Sequence, residues 1–230
     1  MAHKTTTIAF LFPTLNEEQA IISTIKSIPS DYLKNQGYSV KTFVVDGGSK
    51  DKTIELAKKA GTTVIISPKK GYGFQYKFAL SKLTSDIVVT GDADGTYPFS
   101  VAPDLIKLIE KEDLDFITTN RFYNLGKGSM SLIHNLGNRI LSVLTVLLFR
   151  INLKDSQSGM WCFKLAKVKE LDLKDDDMAF SEEIKIKAFQ NLRCKEVGIS
   201  YKRRIGKSKL NINHAFKNLY FLFKLRFKNV

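Results

Sequence analysis

Along the first 120 residues, short apolar runs alternate with longer mixed segments. The runs Ile8 to Phe12, Val40 to Val45, Thr62 to Ile66, Ile87 to Thr90 and Asp115 to Thr119 predict strands buried on both faces. The intervening segments predict helices from Asn16 to about Ile28, Asp51 to Ala60, past Gly71 to about Leu83, and Val101 to Lys111. Asn16 reads as the N-cap of the first helix, with Gln19 three residues on and Glu17 and Glu18 at the positive end of its dipole. Gly61 reads as the glycine that closes the second. Strands alternating with helices of about ten residues predict an α/β fold with a mostly parallel, doubly wound central sheet and helices on both faces.

The second half is less regular. Residues 130–149 read as a long helix, Ser158 to Phe163 as a strand, and Ser181 to Gln190 as a helix capped by Ser181. Residues 194–201 read as another strand, and Ile212 to Phe227 as a helix mixing aromatic, aliphatic and basic residues. The tail has the composition of an amphipathic helix lying on a membrane interface, with basic anchors. A core-packed helix with a solvated basic face fits the same residues. The expected organisation is one domain over 1–210 and an appendage over 211–230.

Charge sharpens the picture. The net charge is +13, and residues 201–230 hold nine Lys or Arg with no Asp or Glu. That asymmetry points to a polyanionic partner: nucleic acid, an anionic membrane surface or a phosphorylated lipid. Cys162 and Cys194 have no metal-ligand spacing, and His3, His134 and His214 are scattered. The first residues lack a secretory leader pattern. No uninterrupted apolar run reaches about 18 residues, so no bilayer span is expected. The nearest candidate, Ile140 to Phe149, is broken by Ser142 and Thr145 and flanked by Arg139 and Arg150.

The chemistry concentrates at strand ends. Asn16 and Glu17 follow the first strand, Asp46 the second, and Asp92 with Asp94 the fourth. In an open α/β sheet these ends share one crevice. Residues i and i+2 of a strand face the same side, so the two aspartates are expected to converge. A carboxylate pair there suits Mg2+ or Mn2+ shared with a diphosphate. Helix caps and turns account for some of these residues equally well.

Pro13-Thr14-Leu15-Asn16-Glu17, Val45-Asp46-Gly47-Gly48-Ser49 and Asp92-Ala93-Asp94 together resemble the signature of family 2 glycosyltransferases of the GT-A fold. Asn120-Arg121-Phe122, Asp155-Ser156-Gln157-Ser158-Gly159, Phe180-Ser181-Glu182-Glu183-Ile184 and the segment from Arg203 to Leu210 resemble the polyprenyl-phosphate sugar transferases, the dolichyl-phosphate mannose synthase group. The resemblance covers roughly residues 6–210. It implies that Pro13, Thr14 and Glu17 line the nucleotide site and that Asp46, with Gly47 beside it, contacts the base. Asp92 and Asp94 hold the metal and diphosphate. Arg121, Arg139 and Arg203 face the acceptor phosphate, with Lys209 near one of the phosphates. Gly71, Gln157, Ser158 and Glu182 fall in substrate-binding segments.

Two departures bear on specificity. Gly95-Thr96 stands where the mannose synthases commonly continue Leu-Gln, and Gly47 replaces the second Asp of Asp-Asp-Gly-Ser. Both leave the reaction class intact and the sugar and base open, with a slight lean to a UDP-linked donor over a GDP-linked one.

The implied reaction is metal-dependent, inverting transfer of a sugar from a nucleotide sugar to a polyprenyl (dolichyl) phosphate, at the cytoplasmic face of a membrane with which the protein associates peripherally. A separate membrane-embedded partner subunit is compatible with this. A phosphate acceptor needs arginines to hold it, whereas a hydroxyl acceptor needs a general base. The alternatives are a soluble transferase using Glu182 as base toward a glycan hydroxyl, and a basic nucleic-acid-binding protein. The last leaves the strand-end carboxylates unexplained, so no nucleic-acid partner is expected.

Overall fold

The computed structural model describes residues 5–206 and 212–227. Among these, seven strands form one sheet: β1 (Thr7–Thr14), β2 (Ser39–Asp46), β3 (Thr63–Ile66), β4 (Ile87–Thr90), β5 (Phe116–Leu125), β6 (Trp161–Lys164) and β7 (Cys194–Tyr201), in the order β3-β2-β1-β4-β6-β5-β7. β1 runs parallel to β2 and β4, β2 to β3, and β5 to β7. β6 is antiparallel to both its neighbours, β4 and β5. The sheet is therefore parallel except for one reversed strand at its centre, which the apolar pattern does not reveal.

The helices are α1 (Ile21–Lys26), α2 (Ser30–Asn35), α3 (Thr53–Lys59), α4 (Tyr72–Lys82), α5 (Ala102–Lys111), α6 (Leu132–Phe149), α7 (Leu165–Lys169), α8 (Phe180–Asn191) and α9 (Ile212–Phe227). Apolar clusters cover the two faces of the sheet. One gathers Phe10, Phe12, Phe99, Ile106 and Ile117, and the other Leu11, Tyr76, Phe116, Trp161, Phe163 and Phe180. Tyr76 stacks on Phe180 at 5.4 Å, and Phe116 on Phe163 at 5.6 Å. Burying each such ring stabilises the fold by about 2–3 kcal/mol relative to leaving it in water.

Several boundaries differ from expectation for physical reasons. Asn16 does not cap a helix. It sits at φ +51, its N–H donates to Ser49 Oγ (2.8 Å), and its Oδ1 accepts from the Lys50 amide (2.8 Å). Helix geometry begins only at Ile21, behind Ala20. Ser181 does not cap α8 either. Ala179 holds that position, and the Asp175 carboxylate takes the Phe180 amide. Aspartates 92 and 94 lie beyond β4, in a turn rather than on the strand.

The expectation about membrane spans also needs correction. α6 is 18 residues long with a mean hydropathy of 1.5, and by length and composition alone it is apolar enough to cross a bilayer. Only 17% of it is buried. Ser131 caps it by accepting the His134 amide, and the left-handed Arg150 ends it.

Candidate active site

Two loops are sewn together at the C-terminal ends of β1 and β2. Asp46 is fully buried, and its Oδ1 accepts the amides of Gly48 and Ser49 (both 2.8 Å) while Oδ2 accepts from Ser49 Oγ. The Glu17 amide donates to Thr53 Oγ1 (2.7 Å), and Glu18 accepts the Lys52 amide (3.0 Å). Gln75 donates to the carbonyls of Thr14 (3.0 Å) and Val45 (2.7 Å). The packing opposite it is tight: a Cβ on Gly47 would lie 3.1 Å from the Gln75 amide group and press on it. Pro13, Thr14, Asp46 and Gly47 thus form a preformed wall, with Asp46 committed to shaping its own turn.

Aspartates 92 and 94 continue this wall. Asp94 Oδ1 accepts from the Thr96 amide (3.1 Å) and Thr96 Oγ1 (2.6 Å). Its Oδ2 takes Nη1 of Arg204 at 2.5 Å, and Nη2 of the same guanidinium pairs with Glu17. Asp92 keeps some solvent contact, with Tyr72 and Tyr97 close by and the side-chain-free Gly159 leaving room beside it. A Cβ on Gly159 would stand 3.1 Å from the Tyr72 hydroxyl and 3.4 Å from both Asp92 Oδ1 and the Tyr97 hydroxyl. Burial and then the charge of Asp94 push the Asp92 carboxyl up to about 7, against the pull of Arg204 and Arg121. Two like charges close together resist joint ionisation, so the pair favours a cation.

Arg121 ends the β5 side of the crevice. It is buried, and Asp155 grips its Nε and Nη2 edge at 2.7 and 2.8 Å while also accepting its amide (3.0 Å). The Tyr201 ring lies 5.4 Å from the guanidinium. Burial alone lowers the Arg121 pKa, but Asp155, joined by Tyr97 and Tyr201, more than reverses it. Asp155 is likewise held below the usual carboxylate range, Arg121 outweighing the cost of burial. Breaking such a pair by removing one partner costs about 3–5 kcal/mol.

Behind it lies a buried polar relay. Gln157 donates to Ser156 Oγ (2.9 Å) and to Glu182 Oε1, and accepts from Asn218 of α9 at 3.0 Å. Glu182 Oε2 has no hydrogen-bond partner, and burial drives this carboxyl up to about 8. Lys185, pushed down to about 7 by burial, donates to the Ser158 carbonyl (2.6 Å). Ser158 also accepts the Trp161 indole N–H there (2.8 Å) and shares a 2.7 Å hydroxyl contact with Thr119.

The structure therefore brings Glu17, Asp92, Asp94 and Arg121 into one crevice. Gln157, Ser158 and Glu182 lie behind it as packing partners. Arg139 stacks 4.4 Å over Phe122, beside Arg121. Gly71 stands at the start of α4, where the amides of Gly73 and Phe74 already donate to the carbonyls of Asp177 and Asp176. Arg203 is exposed, and its neighbour Arg204 makes the ion pairs. Lys209 lies outside the described residues. Sequence reasoning gave no role to Tyr72, Tyr97 and Asn218, and reached Gly159 and Arg204 only as members of longer motifs, with solvation an open reading for Arg204. Nothing in the local pattern separates Arg204 from Arg203. A surface depression lined by Leu83, Asp86, Ile109 and Lys164 opens at the opposite end of β4 and shares none of this chemistry.

Comparison with known proteins fits this geometry. The low-salt glycan biosynthesis hexosyltransferase Agl6 of Haloferax volcanii is 31% identical over 207 residues, which is 89% of this chain and 50% of that protein. The dolichyl-phosphate hexose transferase of the same organism is 29% identical over 204 residues, covering 89% of this chain and 86% of that one. The chain thus spans half the length of the first relative and most of the second. Glucosyl-3-phosphoglycerate synthase from Mycobacterium tuberculosis matches with a TM-score of 0.76 at 21% identity, over 96% of this chain and 80% of that chain. That enzyme has been solved with Mn2+ and UDP-glucose and with Mg2+ and UDP. The likeness establishes a GT-A fold, and residues 10–171 match the glycosyl transferase family 2 profile: the chain belongs to the family 2 glycosyltransferases.

Proposed function

We propose that this protein transfers a sugar, with inversion, from a nucleoside-diphosphate donor to a polyprenyl phosphate at the cytoplasmic membrane face. The carrying observation is that Asp92 stands within electrostatic reach of both Asp94 and the Arg121 guanidinium at the C-terminal ends of the strands. The walls formed by Thr14, Glu17 and Asp46 hold the nucleotide. Among the described residues no three His, Cys, Asp or Glu side chains form a metal cage, so the protein supplies Asp92 and Asp94 and the donor diphosphate supplies further oxygens. The fit is good. The donors are hard oxygens, a guanidinium already stands as the cation at Asp94, and Gly159 keeps space open beside Asp92. Asp92 and Asp94 would hold Mg2+ or Mn2+ there, and the ion would supply charge neutralisation for the departing diphosphate. The ions and nucleotides bound in the M. tuberculosis synthase support a divalent ion and a UDP donor for this chain as well.

The acceptor follows from the charge inventory. Asp155 is committed to Arg121, and Glu183 to the amides of Lys174 and Asp175 and to Lys187. An acceptor that carries its own negative charge needs no carboxylate base. A phosphate monoester, with a second pKa of about 6, is such an acceptor. Arg121 offers it the guanidinium edge that Asp155 leaves, and in this reading Arg139, stacked on Phe122, and the exposed Arg203 add cationic contacts. The name of the dolichyl-phosphate relative supports the same reading.

The lipid requires a membrane surface. Leu132 (88% exposed), Leu136, Ile140, Val143 and Leu147 form one apolar stripe along α6 at helical spacing, and α9 adds exposed Tyr220, Phe223 and Phe227. Arg139, Lys217, Lys224 and Arg226 supply basic anchors. We place α6 flat in the interface rather than across it. Leu141 packs with Ile151, Ile186 and Leu222, and Ser142 accepts the Ser156 amide at 2.9 Å, ties that a spanning helix would break. Residues 1–210 are the catalytic domain in this reading, and 211–230 complete the interfacial surface.

One observation favours a second reading. A carboxyl raised to about 8, as at Glu182, suits a general base for a glycan hydroxyl. The deciding assay offers Mn2+ with UDP-glucose, UDP-N-acetylglucosamine or GDP-mannose, against dolichyl phosphate in vesicles or a soluble glycan. Product on the lipid, lost in Asp94→Asn, supports the proposal. Product on the glycan alone refutes it.

A further inference from the structure

Arg204 does more than line the crevice. Its guanidinium bridges Asp94 and Glu17, carboxylates contributed by the loops after β4 and β1. The strap that carries it is fastened to the same loop. The Ile205 amide donates to the Asp94 carbonyl (2.9 Å), and the Lys202 amide to the Thr96 carbonyl (3.0 Å). The contact is close: a Cβ on Gly95, which has φ +80, would come 3.0 Å from Ile205 Cδ1. The side chain of Arg204 is 24% exposed, so the pair is partly shielded from solvent and survives moderate salt.

We infer that Arg204 is a built-in counter-cation that competes with the divalent ion for Asp94, so that the strap over residues 202–206 must release before metal and donor are held. The inference rests on the reading of Asp94 as a metal ligand. Its basis is that both Asp94 oxygens are already engaged, Oδ1 by Thr96 and Oδ2 by Arg204, so that a divalent ion brought up to Asp94 meets the repulsion of the guanidinium beside it. In the free protein the guanidinium keeps the acidic loop neutralised and the strap closed. When the donor arrives with its ion, the carboxylate changes partner and the strap is freed at the mouth of the crevice. Metal affinity in the absence of nucleotide is then the intrinsic affinity reduced by the fraction of molecules in which Arg204 has let go. A charge-assisted hydrogen bond of ordinary strength makes that fraction about one in ten.

Calorimetric titration of Mn2+ into the nucleotide-free protein tests this. Arg204→Gln should bind Mn2+ about tenfold more tightly than the wild type, and Arg204→Lys, which keeps the charge on a protein that folds alike, should stay near the wild type. Equal or weaker Mn2+ binding by Arg204→Gln would overturn the inference, as would equal tightening in Arg204→Lys. Asp94→Asn serves as the separate arm. If it retains full Mn2+ affinity, the assignment of Asp94 as ligand fails, whereas loss of binding there with no gain in Arg204→Gln removes the competition alone.

Discussion

Glu182→Gln isolates the energetic cost of a carboxyl sealed behind the active site. The wild-type side chain is wholly buried, one oxygen accepts from Gln157, and the other has no partner. Burial raises its pKa from 4.5 to about 8. Between those values the folded protein keeps a proton that the unfolded chain releases. The folded state binds more protons there, so stability falls as pH rises, by about 1.4 kcal/mol per pH unit. Lys185 acts in the opposite sense. Its pKa drops from 10.5 to about 7, so the unfolded chain holds the extra proton above about pH 7 and stability then rises with pH. The Glu182 contribution is therefore cleanest from about pH 5 to pH 7, where it amounts to roughly 2–3 kcal/mol. Gln cannot ionise. Urea unfolding followed by the single buried tryptophan, Trp161, should show the Glu182→Gln variant gaining about 2–3 kcal/mol on the wild type across that window. Parallel pH dependences in the two proteins would show that Glu182 is not held protonated, and the reasoning would fail.

Other expectations follow from the same geometry. Asp155→Ala leaves the buried Arg121 uncompensated and should cost about 3–5 kcal/mol in chemical denaturation, with sugar transfer lost as well. Gly159→Ala places a methyl between Asp92 and two tyrosine hydroxyls. It should fold with little change in Tm yet lower kcat/KM by about tenfold or more, since displacements well under 1 Å at a reacting centre are costly. Replacing Leu136, Ile140 and Leu147 together with Glu touches only exposed side chains, so thermal melting should be unchanged while flotation with anionic vesicles is lost. Retained flotation would remove α6 from the membrane surface.

The first half of the fold was legible because its strands leave unbroken apolar runs, most of all β1 and β4, which are buried on both faces, and the turns after them carry Asp, Asn, Gly and Ser. The doubly wound sheet was read from that alternation. Strand direction was not legible. Nothing in Trp161 to Lys164 says that β6 runs against its neighbours, because direction is fixed by which strands it joins. The cap assignments at Asn16 and Ser181 failed because other partners claim those side chains: Asn16 Oδ1 accepts the Lys50 amide, and Ser181 Oγ donates to the Ser158 carbonyl and accepts from Lys185 one turn on. Short helices such as α2 and α7 lack the length for a periodic signal. The exposure of α6 also escaped the pattern, since an apolar helix reads alike whether it faces a core or a lipid. Arg203 and Arg204 are adjacent and identical in type. Only the path of the backbone after β7 decides which one turns inward.

The reversed strand has an architectural consequence. Because β6 runs against the sheet, the chain that leaves β5 at the functional edge comes back at that same edge. Everything from Gly126 to Met160 is one excursion hung from a single rim, holding α6, Asp155, Gln157 and Gly159 between its two attachment points. Its far end is anchored on the other half of the sheet, where the Gly159 carbonyl accepts from Thr90 and the Gly159 amide donates to the Tyr97 hydroxyl. A change in the length or sequence of the excursion is therefore felt beside Asp92 through that one attachment point.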